Sequence, residues 1–204
     1  MQQCRLFCEQ IISSNFKAAK RTEATELVDS PEVWLYDDGE YDEAFNNRFS
    51  DARKKNREAF RKIVQFAMLE VGVREKGGHN SGRRVEAYLD YVGFKKGAPW
   101  CAAFVSWVFA KAGHKAPRTA WSPALFPASH RARDAIAGYV FGIYIPSLER
   151  IGHCGIVETV DGDWLRTIEG NTSVAGSREG DGVYRRSRHK RSIRYYADWI
   201  AKGF

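Results

Sequence analysis

Gly97-Ala98-Pro99-Trp100-Cys101-Ala102-Ala103-Phe104-Val105-Ser106-Trp107-Val108-Phe109-Ala110-Lys111-Ala112-Gly113 is the stretch on which the fold turns. Gly97 and Pro99 break the chain, Trp100 to Ala112 is apolar almost all round, and Gly113 supplies a stop. A helix with apolar residues on every side is buried, so this one is expected at the centre of the domain. Upstream, Phe60, Ile63, Val64, Ala67, Met68 and Val71 recur at helical spacing before Gly72. Val85, Tyr88, Leu89 and Val92 do the same before Gly93, which predicts two amphipathic helices. Downstream, Pro117, Pro123 and Pro127 space out a loop, and the pattern shortens to strand-like runs at 139–145, 155–160, 164–169, 183–186 and 193–196. Asp161-Gly162 and Asp181-Gly182 are turn signals between them and favour antiparallel hairpins. Helices first and strands after predict an α+β domain.

The 204 residues are 44% hydrophobic and 28% charged, a balance that fits a globular chain and excludes collagen-like, disordered and membrane-embedded classes. No apolar run reaches the roughly 20 residues of a membrane-spanning helix, so no transmembrane segment is expected. The opening MQQCRLFCEQII has no apolar core of signal-peptide length, and the chain as written reads as carrying no signal peptide. Cysteines 4, 8, 101 and 154 have neither the density nor the spacing of a disulfide framework or a zinc site, so reduced thiols are expected. The net charge of +7 is uneven. Residues 1–52 read as an appended acidic segment, with short helical patches and a turn at Asp29-Ser30-Pro31, and residues 53–204 as a more basic main domain. Such a body attracts nucleic acid, anionic membrane or acidic wall polymer alike.

Cys101 falls at the first turn of the buried helix, where free N–H groups and the macrodipole favour a thiolate. His153, in Gly152-His153-Cys154-Gly155-Ile156-Val157, enters a predicted strand between glycines that permit close approach. Imidazole is the natural base for a thiol near neutral pH. Cys154, one step along a strand, is expected on the opposite face, in the core. Glu169 and Asn171 end another strand two residues apart, on one side of it. A carboxylate or amide there suits the group that fixes the tautomer of a catalytic imidazole. Read singly, Cys101 is also an ordinary buried cysteine, His153 a strand-entry histidine and Asn171 a turn residue.

Three ordered motifs, Pro99-Trp100-Cys101-Ala102-Ala103-Phe104-Val105, Gly152-His153-Cys154-Gly155-Ile156-Val157 and Ile168-Glu169-Gly170-Asn171-Thr172, resemble those of the CHAP family, the papain-like cysteine, histidine-dependent amidohydrolases and peptidases. The likeness runs from about Phe60 to Tyr196 and extends to phage endolysins. It implies a papain-like fold with the catalytic cysteine at a helix N-terminus packed on an antiparallel sheet. It also implies hydrolysis of an amide bond in peptidoglycan through a cysteine thioester, with Cys101, His153, Glu169 and Asn171 as catalytic residues and Trp100 as a substrate-binding residue. Two other readings are the same chemistry on a non-wall amide and a non-catalytic wall-binding module. No cofactor and no metal are expected, because Lys76-Gly77-Gly78-His79-Asn80-Ser81 offers no carboxylate cage for calcium. His79 and His114 read as solvent-exposed loop residues. Arg185, Arg186, Arg188, Lys190, Arg191 and Arg194 read as a solvated strand face. The expected partner is peptidoglycan rather than a specific nucleic acid, with residues 1–52 set aside for a delivery or inhibitor partner. Action is expected at the bacterial cell wall or periplasm, by an export route the sequence leaves open.

Overall fold

A computed structural model describes residues 43–175 and 180–201, with side chains from residue 51 onward. The helical patches and the turn expected within residues 1–42 lie outside the described residues, as do Cys4 and Cys8. Three helices come first: α1 (Glu43–Leu69), α2 (Arg83–Tyr91) and α3 (Cys101–Lys111). Six strands follow: β1 (Arg131–Ala132), β2 (Val140–Ile145), β3 (Arg150–Asp161), β4 (Trp164–Thr172), β5 (Gly182–His189) and β6 (Tyr195–Ala197). They form one antiparallel sheet in the order β1-β6-β2-β3-β4-β5, and the architecture is α+β as the sequence predicts. One difference lies in α1, which runs through the expected boundary at residue 52 instead of starting after it. Another is β3, which begins before His153 and so places that residue inside the strand.

The expected burial of α3 is complete: its residues from Cys101 to Phe109 are all buried. It lies on the sheet face that presents Cys154, Ile156, Ile168, Val183 and Ala197, and these side chains with Phe104, Val105 and Val108 form the main core. A smaller cluster of Phe141, Val157, Leu165 and Tyr196 covers the other face. The end of α1 is tied to α2 by Glu70, a buried carboxylate that accepts from the Arg84 guanidinium and the Tyr88 hydroxyl. Burial and that carboxylate raise the Tyr88 phenol well above its ordinary range, so this contact is a fixed hydrogen bond at working pH.

Gly170 sets the distance between β4 and α3. A Cβ built there would lie 2.7 Å from the Trp100 ring and 2.8 Å from the Phe104 Cβ, closer than packed atoms approach. Gly170→Ala is therefore expected to push the end of β4 away from α3, at a cost of about 1–3 kcal/mol. Urea unfolding of the folded variant measures it, and an unchanged midpoint would contradict the close approach.

Candidate active site

Cys101 opens α3 with no side-chain cap ahead of it and no acidic residue in the first turn. The N–H groups of that turn therefore keep their partial positive charge for an anion at the thiol. Glu169 and His153 meet across neighbouring strands, His153 Nε2–H donating to Glu169 Oε2 at 2.9 Å, with both side chains buried. Gly155 makes the meeting feasible, since a Cβ there would lie 2.9 Å from Glu169 Cγ and 2.8 Å from Phe141. The glycine two residues after the histidine thus clears the path along which the carboxylate crosses to the ring.

His153 Nδ1 is buried and makes no well-formed hydrogen bond. Cys101 and His153 nonetheless act on each other strongly. Burial alone would lower the imidazole, but its interactions with the Cys101 sulfur and Glu169 outweigh it and raise His153 to about 9. Cys101 is held well below its ordinary range, first by the Cys154 thiol and then, against burial, by His153 and Ser122. A lowered thiol and a raised imidazole both shift in the direction that favours a thiolate–imidazolium pair. A contact that tightens when substrate enters is common in such sites.

Cys154 is in the core, as expected, but the core it faces is the one under α3. Its thiol and that of Cys101 therefore perturb each other, and burial followed by that neighbour raises Cys154 well above its ordinary range. His153 reaches the same region through an irregularity in β3. Pairing with β2 passes from Ile143↔His153 to Tyr144↔Ile151, leaving Gly152 as an extra residue that re-aims the strand. Asn171, at φ 55°, takes the amide orientation its partners dictate: it accepts from the Trp100 N–H at 3.2 Å and donates to Gly180 O and Asn80 Oδ1. It thus fastens the end of β4 to the backbone just ahead of Cys101.

Three expectations need correction. The Trp100 side chain is fully buried, stacked on Tyr88 with its Nε1–H donating to Glu75 at 2.9 Å, so its ring has no face left for substrate. Trp121, next in sequence to Ser122, is by contrast exposed and carries the Arg150 guanidinium 4.1 Å over its ring. The basic run is not a uniformly solvated face either. Arg188 donates to both oxygens of Glu169, at 2.9 and 2.6 Å, and Arg185 pairs with Glu158. Thr167 Oγ1 adds a third donor to Glu169 at 2.6 Å. Burial would raise that carboxyl, yet Arg188 and His153 together hold it down at about 2. Arg188 and Thr167 could have been found from register, because alternate residues of β4 and the facing β5 share a side with Glu169. His79 is exposed as expected, whereas His114 is half-buried near Phe109 and burial lowers its pKa.

Among the described residues no cluster of three or more His, Cys, Asp and Glu side chains is arranged to hold a metal ion. No described helix is long and apolar enough to cross a membrane.

No curated protein matches the chain. Solved structures that do so at low similarity include the crystal structure of Ly7917 and that of Ly7917 with the hydrolyzing product of MDP. Both are 18% identical, with TM-scores of 0.41 and 0.39. Each alignment covers 67% of this chain and no more than 61% of the other, so the chain spans less than two thirds of those proteins. Residues 93–171, from the loop before the buried helix to the end of β4, match the family model of the CHAP domain.

Proposed function

We propose that the chain is a peptidoglycan hydrolase that cuts an amide bond of the stem peptide, either at its junction with muramic acid or within it. A CHAP domain implies a hydrolase. The observation that carries the cysteine mechanism is the buried chain of contacts running from Arg188 through Glu169 to His153, with Cys101 at a helix N-terminus beside it. In this reading the Cys101 thiolate attacks the amide carbonyl, and the oxyanion is met by the backbone N–H of Cys101. His153 imidazolium protonates the departing amine. Water, deprotonated by the now neutral imidazole, then hydrolyses the thioester and frees the thiolate. Glu169 keeps the ring oriented and its cation stabilised, and Asn171 holds the backbone entering the nucleophile helix.

The test is digestion of purified peptidoglycan followed by mass analysis of the fragments. A free peptide amine together with an intact lactyl carboxyl identifies an amidase, whereas a new peptide carboxyl identifies an endopeptidase. Sacculi left intact while simple peptides are cut would overturn the wall assignment in favour of a non-wall amide.

Residues 1–52 are assigned to delivery or partner docking, and the chemistry to the remainder. Because α1 starts at Glu43, a protein beginning there keeps that helix whole. It is expected to cut soluble wall fragments at a rate equal to or above that of the full chain. A folded but inactive product would contradict the division.

A further inference from the structure

Two serines lie buried along the path from α3 to the sheet, and they have different partners. Ser106, in the middle of α3, is saturated by backbone: its Oγ–H donates to Thr119 O at 2.9 Å and its oxygen accepts from Thr119 N–H at 3.0 Å. This clamp ties residue 119 to the helix and brings the chain back toward the helix start. Three residues later Ser122 opens a short turn (Ser122–Leu125) with its hydroxyl 3.5 Å from Cys101 Sγ, within hydrogen-bond reach for sulfur.

The turn is not free to drift. Leu125 and Phe126 are buried in the main core, Trp199 Nε1–H donates to Leu125 O at 3.0 Å, and Gly142 has no side chain where the Phe126 ring lies. Pro123 stiffens the second position. Ser122 is thus fixed over the nucleophile, where its hydroxyl interacts with the sulfurs of Cys101 and Cys154, and a hydroxyl is costly to bury without a partner.

We propose that Ser122 is a further catalytic residue, whose hydroxyl donates a hydrogen bond to the Cys101 thiolate and holds it in line for attack. This rests on Cys101 being the nucleophile. A thiolate has no proton to give, so only Ser122 can be the donor once Cys101 is ionised, and a bond that strengthens with ionisation favours the charged form. The other groups facing the sulfur are His153 and Cys154 from β3, the first-turn N–H groups of α3, and Glu169 from β4 acting through His153. Ser122 is the neutral donor from the loop side. The Cys154 thiol, whose pKa is raised, stays protonated and helps from the sheet side.

The experiment follows iodoacetamide modification of Cys101 against pH, read on its own peptide by mass spectrometry, in wild type, Ser122→Ala and Ser122→Thr. In the alanine protein the midpoint is expected to rise by about one pH unit, and modification on the acidic side to slow about tenfold. The threonine protein, which keeps the hydroxyl, is expected near wild type. If its extra methyl prevents folding, Ser122→Gly replaces it and is expected to titrate with the alanine protein. An alanine or glycine protein that titrates as wild type, or a folded threonine protein that titrates with alanine, overturns the proposal. Wall digestion by Cys101→Ser in parallel separates the two levels. Retained digestion there refutes the nucleophile, whereas its loss beside an unshifted Ser122→Ala midpoint refutes the Ser122 role alone.

Discussion

Cys101→Ser is expected to abolish wall hydrolysis in a protein that folds as wild type does. The drop should be about a thousandfold or more, since serine fills the same space but its hydroxyl is not ionised by a neighbouring imidazole as a thiol is. Burial makes the isosteric exchange safe for the fold: Cys101 is a core residue at the start of α3, and an oxygen in place of sulfur still meets the Ser122 hydroxyl. Turnover on soluble peptidoglycan fragments, beside circular dichroism and a thermal melt, gives both readings. Wild-type turnover would remove Cys101 from the chemistry. Cys154→Ser is expected to be milder but not silent, because the thiol next to Cys101 is the foremost influence lowering it. Its effect should appear as slower reaction on the acidic side of the profile.

The sequence was legible where one period dominated. An apolar stretch ending in glycine named α3, and two amphipathic patterns named the ends of α1 and α2. Strand positions came out close, but their lengths did not. β3 and β4 extend beyond their apolar cores through His153 and Asn171, polar residues kept there because His153 finds Glu169 inside the sheet and Asn171 finds Trp100 N–H, Gly180 O and Asn80 Oδ1 beside it. The same effect hid Arg188. An arginine among six basic residues carries no local mark of burial, and only the pairing of β5 with β4 puts it on the same sheet face as Glu169, to which it donates. Ser122 was hidden differently: a serine in a proline-rich loop gives no period at all, and its place beside Cys101 depends on core anchors on both sides of the turn. Trp100 misled for the opposite reason. Its position next to Cys101 suggested substrate, whereas its indole is consumed by Tyr88 and Glu75.

The charge chain behind His153 carries the second large effect, and its two members are expected to move opposite ends of the pH profile. Glu169→Gln keeps the shape but removes the charge that, with the Cys101 sulfur, raises His153 to about 9 against burial. The imidazolium is then lost at lower pH, so the alkaline limb of hydrolysis moves down and neutral turnover falls by about a hundredfold or more. Arg188→Met acts on the other side. Glu169 is held at about 2 by Arg188 and His153 against a burial effect that favours the neutral acid, so removing the guanidinium raises that carboxyl. On acidification it then takes up a proton and stops accepting from His153 at a higher pH than in wild type, which moves the acid limb up. Breaking a buried pair also costs about 3 kcal/mol of stability, and that cost should shrink in Arg188→Met combined with Glu169→Gln, where no unpaired buried charge is left. Turnover against pH and urea midpoints for the two single variants and the double measure all of this. If Arg188→Met lowers stability but leaves the acid limb where wild type has it, Arg188 serves the fold and not the chemistry. If Glu169→Gln leaves the alkaline limb in place while Asn171→Ala moves it, the carboxylate and the amide exchange roles, and Asn171 is the residue that orients His153.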